Sequence, residues 1–191
     1  LRQANKDPTM FIGGEVNDFG ANSKLGSSEY VVAESDESDG SFLLLSPSIS
    51  ILTNIEDDHI DYYGSKDKLV QAFVQFAGRL KPAGTLIINI DDPCLSNVIK
   101  NISLSPSQKL ITYGSPSSAD LSAKKVKLKQ FSSSYEINYQ GHKIEDIDLS
   151  LPGQHNIYNS LASVAVGLDI GIGWEEIKKA LLLFSGVKRR F

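Results

Sequence analysis

Short apolar runs bounded by polar residues dominate the first 115 positions of the chain. Four of them read as strands: residues 30–33, 50–53, 85–90 and 109–113. Runs of this length that are rich in β-branched residues and lack polar alternation are typical of strands covered on both faces. Behind Ser65, a candidate N-cap, apolar residues recur at helical spacing to position 80. The order strand, amphipathic helix, strand predicts a βαβ unit and a mainly parallel sheet flanked by helices, an α/β fold.

The pattern changes in the second half of the chain. Short alternating segments at 126–128, 135–139 and 144–149 are separated by turn-forming residues. They predict a small antiparallel meander within residues 121–151, at the edge of the sheet. Apolar positions at helical spacing then predict two closing helices, over 156–171 and 174–184.

Composition narrows the class of protein. With 191 residues, 41% hydrophobic and 22% charged, the chain fits one ordinary soluble domain with a real core. A net charge of −4 argues against a broad surface for nucleic acid or anionic lipid. The single cysteine excludes an internal disulfide framework, and no apolar run approaches the roughly 20 residues of a membrane-spanning helix. We therefore expect a cytoplasmic protein without membrane insertion.

The segment 53–64 gathers carboxylates around one of only three histidines, His59, directly after a predicted strand. Carboxylate oxygen and imidazole nitrogen can bind Mg²⁺ or Mn²⁺ when a substrate phosphate completes the coordination shell. The alternative is a solvated acidic turn in which His59 packs locally and the aspartates face water. The segment alone leaves both interpretations open.

A second acidic cluster, residues 34–40, also follows a predicted strand and begins with Glu34. It could be another solvated turn. However, adjacent parallel strands deliver their carboxyl ends to the same edge of a sheet. If the strands at 30–33 and 50–53 are neighbours, Glu34 and His59 meet there, which favours a joint site.

Two further segments could contact a nucleotide. Asn156 and Asn159 are three apart at the start of a predicted helix, so their amides could share a face and read the edge of a base. Capping of the helix by Asn156, with Asn159 solvated, is the alternative. His155 could orient a phosphate or pack. Arg190, in a basic pair near the end of the chain, could bind phosphate or remain in a solvated tail.

Six segments in this order resemble the central, ATP-binding domain of the ATP-dependent Mur ligases. They are residues 11–14, 33–42, 53–64, 89–93, 152–159 and 186–191. Each is weak alone, and together they cover nearly the whole chain. The Asp-Glu-Ser-Asp block at 36–39 is similar to the branch of this family that adds L-alanine to UDP-N-acetylmuramate. The resemblance implies a fold like that of P-loop NTPases, with a mainly parallel sheet.

The resemblance also implies an activity. The parent protein would be an ATP-dependent carboxylate–amine ligase of bacterial peptidoglycan synthesis, working through an acyl phosphate. Glu34 and His59 would bind Mg²⁺, with Asp58 as a supporting partner. Asn156 and Asn159, with His155, would hold the adenine of ATP, and Arg190 would meet phosphate or the acyl phosphate. Its substrates would be UDP-N-acetylmuramate and L-alanine.

One departure from the family pattern stands out. The phosphate-binding loop of the family carries Gly-Lys-Thr or Gly-Lys-Ser, and neither tripeptide occurs in the 191 residues. We therefore expect residues 1–191 to be one domain, a partial central domain without this loop and without the N- and C-terminal domains, inactive by itself. Three alternatives stay open: a Mur ligase that adds another amino acid or peptide, a non-catalytic nucleotide- or metal-binding module, and a metal-dependent phosphohydrolase, which lacks an obvious nucleophile here.

Overall fold

The structure, a computed structural model, describes residues 1–16 and 21–186. Within these ranges lie nine strands: β1 Thr9–Val16, β2 Ala21–Lys24, β3 Val31–Ala33, β4 Ile49–Leu52, β5 Thr85–Asn89, β6 Lys109–Gly114, β7 Leu121–Leu128, β8 Ser133–Tyr139 and β9 His142–Leu149. The same ranges contain five α-helices: α1 Ile60–Tyr63, α2 Lys66–Ala77, α3 Pro93–Asn101, α4 Gln154–Asp169 and α5 Trp174–Leu183. Short 3₁₀ turns occupy Arg2–Ala4 and Ser41–Leu44.

The main sheet has six strands in the order β4-β5-β6-β7-β8-β9. Strands β4 to β7 are parallel, and β7 to β9 form an antiparallel meander. The predicted βαβ unit is confirmed, because β4 and β5 are hydrogen-bonded parallel neighbours on either side of α2. All five residues of β5 are buried, as expected of a central strand covered on both faces. The α/β class and the edge meander follow the prediction.

Two hydrophobic clusters cover the two faces of this sheet. On one face, Leu86 and Ile88 of β5 pack with α2 and α3. On the other face, Ile87 packs with Tyr113 and with α4. Alternate side chains of a strand point to opposite faces, so this single strand contributes to both clusters. Burial on both faces fixes the register of the strand.

Local sequence signals set the starts of α2 and α3. The Ser65 hydroxyl accepts a hydrogen bond from the Lys68 amide at 3.3 Å, which confirms the predicted N-cap. Asp92 caps α3 in the same way, with Leu95 N at 2.8 Å, and Pro93 occupies the first helical position. Proline is favoured there because that amide has no helical acceptor. Helix α3 was absent from the sequence-based prediction.

The strand at 31–33 does not join the main sheet. It pairs in parallel with β1 in a separate three-stranded sheet of order β2-β1-β3. The prediction that it lies beside β4 is therefore wrong for the described residues. The apolar run was typical of a buried strand, but Val31 and Val32 are 65% and 39% exposed and are not core residues. Exposure, rather than composition, separates this strand from β5.

The two closing helices lie near their predicted ranges. Helix α4 begins two residues earlier than expected, at Gln154, and α5 packs against β9. Of the helices formed by residues 1–16 and 21–186, none combines the length and the apolar character needed to cross a bilayer.

Candidate functional site

Glu34 lies directly beyond the end of β3, on a loop that runs to Gly40. Its amide donates to Phe11 O at 2.7 Å, which prolongs the pairing with β1. Its carboxylate oxygen Oε2 accepts from the Gly13 amide at 2.8 Å. The side chain is thus oriented by the backbone of the neighbouring strand. Nothing in the sequence-based prediction assigned this role to Gly13, although the glycine pair at 13–14 was part of the family resemblance.

His59 lies on the loop between β4 and α1, immediately before the first helical residue. Its backbone is left-handed, with φ of 59°, a conformation that non-glycine residues seldom adopt. Its carbonyl oxygen accepts from the amides of Tyr62 and Tyr63, at 3.0 and 3.2 Å. The exposed imidazole is therefore carried on a turn with a fixed backbone. Such strained geometry at a loop near sheet ends is common at functional sites.

The structure brings the loops of Glu34 and His59 together, although their strands are not neighbours. The phenol of Tyr63 donates to the carbonyl oxygen of Glu37 at 2.6 Å. Both the hydroxyl and the amide of Ser38 donate to Asp36 and hold its pKa below the ordinary value, and the charge of nearby His59 lowers it slightly further. His59 thus lies within electrostatic range of the acidic loop. The acidic loop and the turn of His59 are thus joined by loop-to-loop contacts, while the joint cation site stays a prediction.

The donor chemistry of Glu34 and His59 suits Mg²⁺, which accepts one or two protein ligands and keeps water and substrate phosphates in its remaining positions. Across the two described stretches of chain, no three His, Cys, Asp or Glu side chains form a group that could hold a metal ion together. A full protein cage is therefore absent from these stretches, and the pair fits only a metal that shares its shell with a ligand. The other carboxylates of the loop are solvated, and Asp57 is paired with Lys66 at 2.7 Å.

The loop that follows β4 is fixed by two residues of the segment 89–93, for which no role was predicted. Asn89, at the end of β5, donates from its side chain to Thr53 O at 3.0 Å. Asp92 accepts from the Ile55 amide at 3.2 Å while it caps α3. Both contacts join the carboxyl ends of the two parallel strands. The Asp-Pro pair at 92–93 is a helix-start signal that could have revealed part of this role.

Further along the same edge, a hydrogen-bonded group joins the ends of β5 and β6 to α4. Asp91 accepts from the amide of Ser115 at 2.7 Å and from its hydroxyl at 2.8 Å. Gln154 donates to the phenol of Tyr158 at 2.7 Å. Burial raises the pKa of Tyr158, and Asp91 raises it further. The first turn of α4 is therefore anchored beside the strand ends.

That first turn carries the three residues predicted to contact a nucleotide. Asn156 lies within the helix, whose N-cap is Gly153, so the alternative in which Asn156 is the cap is wrong. Its Nδ2 donates instead to Pro152 O at 2.7 Å. Asn159, one turn further, and His155 are both exposed. The shared helical position of the two asparagines follows the prediction, while Arg190 lies outside the described residues.

Comparison with known proteins identifies a family. The sequence model of the Mur ligase middle domain matches residues 15–167. The UDP-N-acetylmuramate–L-alanine ligase of Desulforamulus reducens is 43% identical over 192 residues, which cover the whole chain and 41% of that protein. A second protein with this name, from Trichlorobacter lovleyi, is 40% identical over the whole chain and 41% of its own length.

A solved structure has the same fold as this chain. The UDP-N-acetylmuramate-alanine ligase of Thermotoga maritima superposes with a TM-score of 0.84 at 26% identity, over 100% of this chain and 41% of that one. The chain spans about two-fifths of the length of the curated relatives that it matches. Because the family model covers most of the sequence, the chain belongs to the Mur ligase middle domain family.

Proposed function

We propose that the protein containing this chain is an ATP-dependent ligase that joins L-alanine to UDP-N-acetylmuramate. The observation that carries this proposal is the 43% identity, across the entire chain, to a protein named as that ligase. The arrangement supports it, because His59 follows the carboxyl end of the parallel strand β4, where α/β sheets bind ligands, and Tyr63 joins the loop of Glu34 to the same turn. In this proposal the substrates are ATP, UDP-N-acetylmuramate and L-alanine, and the reaction passes through an acyl phosphate.

We also propose that residues 1–191 form a single domain, part of the central domain of that ligase. The two hydrophobic clusters share β5, so they form parts of one packed unit. The chain contains no Gly-Lys-Thr or Gly-Lys-Ser tripeptide, so the lysine that grips the phosphates of ATP in this family would come from outside these residues. Ligation would therefore require the whole protein. That protein would act in the cytoplasm, where peptidoglycan precursors are made.

The chemistry poses a problem of charge, because the carboxylate of UDP-N-acetylmuramate must approach the triphosphate of ATP. A bound Mg²⁺ would neutralise part of the phosphate charge. In this proposal the Glu34 carboxylate and the neutral imidazole of His59 hold that ion. The Gly13 amide fixes the Glu34 carboxylate, and the left-handed turn fixes His59. The Glu34 carboxylate and the backbone of His59 are thus held before the ligand arrives, and such preorganisation is the general requirement for electrostatic stabilisation of a transition state.

The adenine of ATP would lie against the first turn of α4. Asn156 uses its Nδ2 on Pro152 O, so its Oδ1 is the atom able to accept from the adenine amino group. Asn159 and His155 are exposed beside it. Arg190 would meet a phosphate or the acyl phosphate formed when the carboxylate is phosphorylated. Attack by the amine of L-alanine would then release phosphate.

The test is an assay of the full-length protein with ATP, Mg²⁺, UDP-N-acetylmuramate and one amine at a time. We expect phosphate release and product only with L-alanine, or far faster with it than with glycine, L-serine or a preformed peptide. A His59→Ala variant of the same protein supplies the background rate. Turnover with a different amine and none with L-alanine would replace the proposal by its nearest rival, another Mur-family amide ligase.

The 191-residue chain permits a second measurement. Because it lacks the phosphate-gripping tripeptide, we expect it to bind ATP weakly, with a dissociation constant well above the micromolar range. Calorimetric titration with ATP and Mg²⁺ measures this directly. Micromolar or tighter binding would contradict the claim that an additional phosphate loop is required.

A further inference from the structure

We propose that Tyr63 is a positioning residue that holds the loop of Glu34 against the turn of His59, and so sets the geometry of the divalent-cation site. The inference rests on the proposed function, because it assumes that these two side chains share a cation. It adds a residue that touches neither the cation nor the nucleotide.

Strand pairing does not fix the distance between Glu34 and His59. Glu34 follows β3, which belongs to the small sheet, whereas His59 follows β4, which belongs to the main sheet. Hydrogen-bonded neighbouring strands of one sheet lie about 5 Å apart, so their ends would be held close together. Two separate sheets carry no such constraint. The relative position of the loops must therefore come from contacts between them.

Hydrophobic packing anchors the turn of His59. Ile60 and Tyr63 both pack against the hydrophobic cluster that includes the buried residues of α2. The amide of Tyr63 also donates to His59 O at 3.2 Å, so the backbone of the histidine and the anchor are directly connected. Tyr63 is thus fixed to the main sheet and cannot shift without moving the turn.

The hydroxyl of the same residue reaches the acidic loop. It donates to Glu37 O at 2.6 Å, and the amide of Gly40 donates to that oxygen at 3.3 Å. Glu37 is three residues from Glu34, on the same short loop. Burial raises the pKa of Tyr63, with smaller contributions from neighbouring acidic groups, so the phenol remains a donor at neutral pH. One side chain therefore spans the gap between the two ligand-bearing loops.

The far end of the acidic loop is held separately. Phe42 is buried and its ring lies 5.4 Å from that of Phe73 and 5.1 Å from that of Phe76, both in α2. This contact secures the chain beyond Gly40, while pairing with β1 secures it before Glu34. The intervening residues are largely exposed. Between these two ends, the phenol of Tyr63 provides a direct hydrogen bond from the turn of His59 to the loop.

Tyr62 provides a matched control. Its ring packs edge-on against that of Tyr63 with 4.9 Å between centroids, and it is 57% exposed. Its hydroxyl lies beside Gly40, where an added Cβ would come within 2.8 Å, and it makes no hydrogen bond to the described residues. Removal of this hydroxyl should leave the loop in place.

The experiment is a titration of the full-length protein with Mn²⁺, in which electron paramagnetic resonance measures the free ion in the presence of a non-hydrolysable ATP analogue. Loss of one net hydrogen bond in Tyr63→Phe should weaken Mn²⁺ binding about two- to twelvefold. Tyr62→Phe should change it by less than about twofold. The ligation rate of Tyr63→Phe should recover as Mg²⁺ is raised, which a purely structural defect would not allow.

A second variant strains the loop at Gly40, whose amide donates to the same Glu37 oxygen as the phenol of Tyr63. Gly40 has φ of +72°, so Gly40→Ala strains the backbone and places a Cβ against the Tyr62 hydroxyl, while the phenol of Tyr63 is retained. It should also weaken Mn²⁺ binding, and it decides the question if Tyr63→Phe does not fold. Wild-type Mn²⁺ affinity in Tyr63→Phe, or an equal loss in both tyrosine variants, would overturn the proposal. If the wild-type protein binds Mn²⁺ but does not ligate L-alanine, the proposed function fails while this inference is still tested.

Discussion

The loops that follow β4 and β3 carry the two candidate cation ligands but are held in different ways. The loop after β4 is tied to the next strand of the same sheet, since Asn89 donates to Thr53 O and Asp92 accepts from Ile55 N. The loop after β3 follows a strand of the small sheet whose three residues are all exposed, and it contacts the main sheet region through Tyr63 and Phe42.

The two halves of the candidate site are therefore held by different kinds of contact. A parallel sheet with a core on both faces fixes one half of the site, because every shift of β5 would disturb two packed clusters. The other half is fixed by a few individual contacts. Mutations should therefore affect global stability in the first region and local geometry in the second.

The largest effect should come from the central strand. Ile88 of β5 is fully buried, so Ile88→Ala should lower the free energy of unfolding by about 2–5 kcal/mol, through lost burial and the cavity left behind. Val31→Ala in β3, at a residue 65% exposed, should cost less than about 1 kcal/mol. Urea denaturation of the 191-residue chain measures both. A comparable loss from Val31→Ala would show that the small sheet is as integral as the main one.

At the site itself, His59→Ala in the full-length protein should reduce ligation on the order of 100-fold or more, because a proposed ligand of the charge-neutralising cation is lost. The fold should persist, since the imidazole is exposed. Steady-state kinetics and circular dichroism together check this. Asp61→Asn, an exposed carboxylate two residues away, is the control. Near-normal turnover of His59→Ala would remove this histidine from the cation site.

A smaller effect should follow from Asp92→Ala. The carboxylate caps α3 and also binds the Ile55 amide, so its loss should cost about 1–2 kcal/mol of stability. Thermal or urea unfolding measures it, with the exposed Asp148→Ala as a matched control within about 0.5 kcal/mol of wild type. If the two substitutions cost the same, then the strand-end contacts do not hold this loop.

The meander offers a third case, in which ion pairs hold a carboxylate. Hydrogen bonds from Lys143 and Lys125 lower the pKa of Glu136 from its ordinary value of 4.5 to about 2. Because the folded-state pKa is the lower one, the ion pairs stabilise the fold fully above pH 4.5 and lose this effect as the pH falls towards 2. The difference in unfolding free energy between wild type and Glu136→Gln should therefore shrink over that range. A difference that stays constant with pH would contradict it.

Several elements followed from local patterns. The βαβ unit, the Ser65 cap and the edge meander were predictable because burial on one or two faces leaves a distinct spacing of apolar residues. Helix α3 was missed because its nine residues present only a short apolar stripe, although the Asp-Pro start was visible. Strand β1 was missed because its two adjacent glycines interrupt the apolar run.

The candidate site divides in the same way. The residue types Glu34, His59 and Asn156 stood out because carboxylate, imidazole and amide groups followed predicted strands or began a helix. Their arrangement did not follow, since β3 leaves the main sheet and Asn156 lies inside α4 with its amide on Pro152. Contacts such as that of Tyr63 with Glu37 join residues 26 positions apart. No local pattern encodes such a pair.

The sequence by itself determined the α/β class, the family and the identity of the chemical groups, because these depend on periodicity and on residue types in a fixed order. The tertiary structure decided which groups meet. The loop of Glu34 and the turn of His59 are joined by the hydrogen bond between Tyr63 and Glu37, and that contact depends on how separate sheets pack. Packing of that kind arises from the summed burial of distant side chains, which no short stretch of sequence contains.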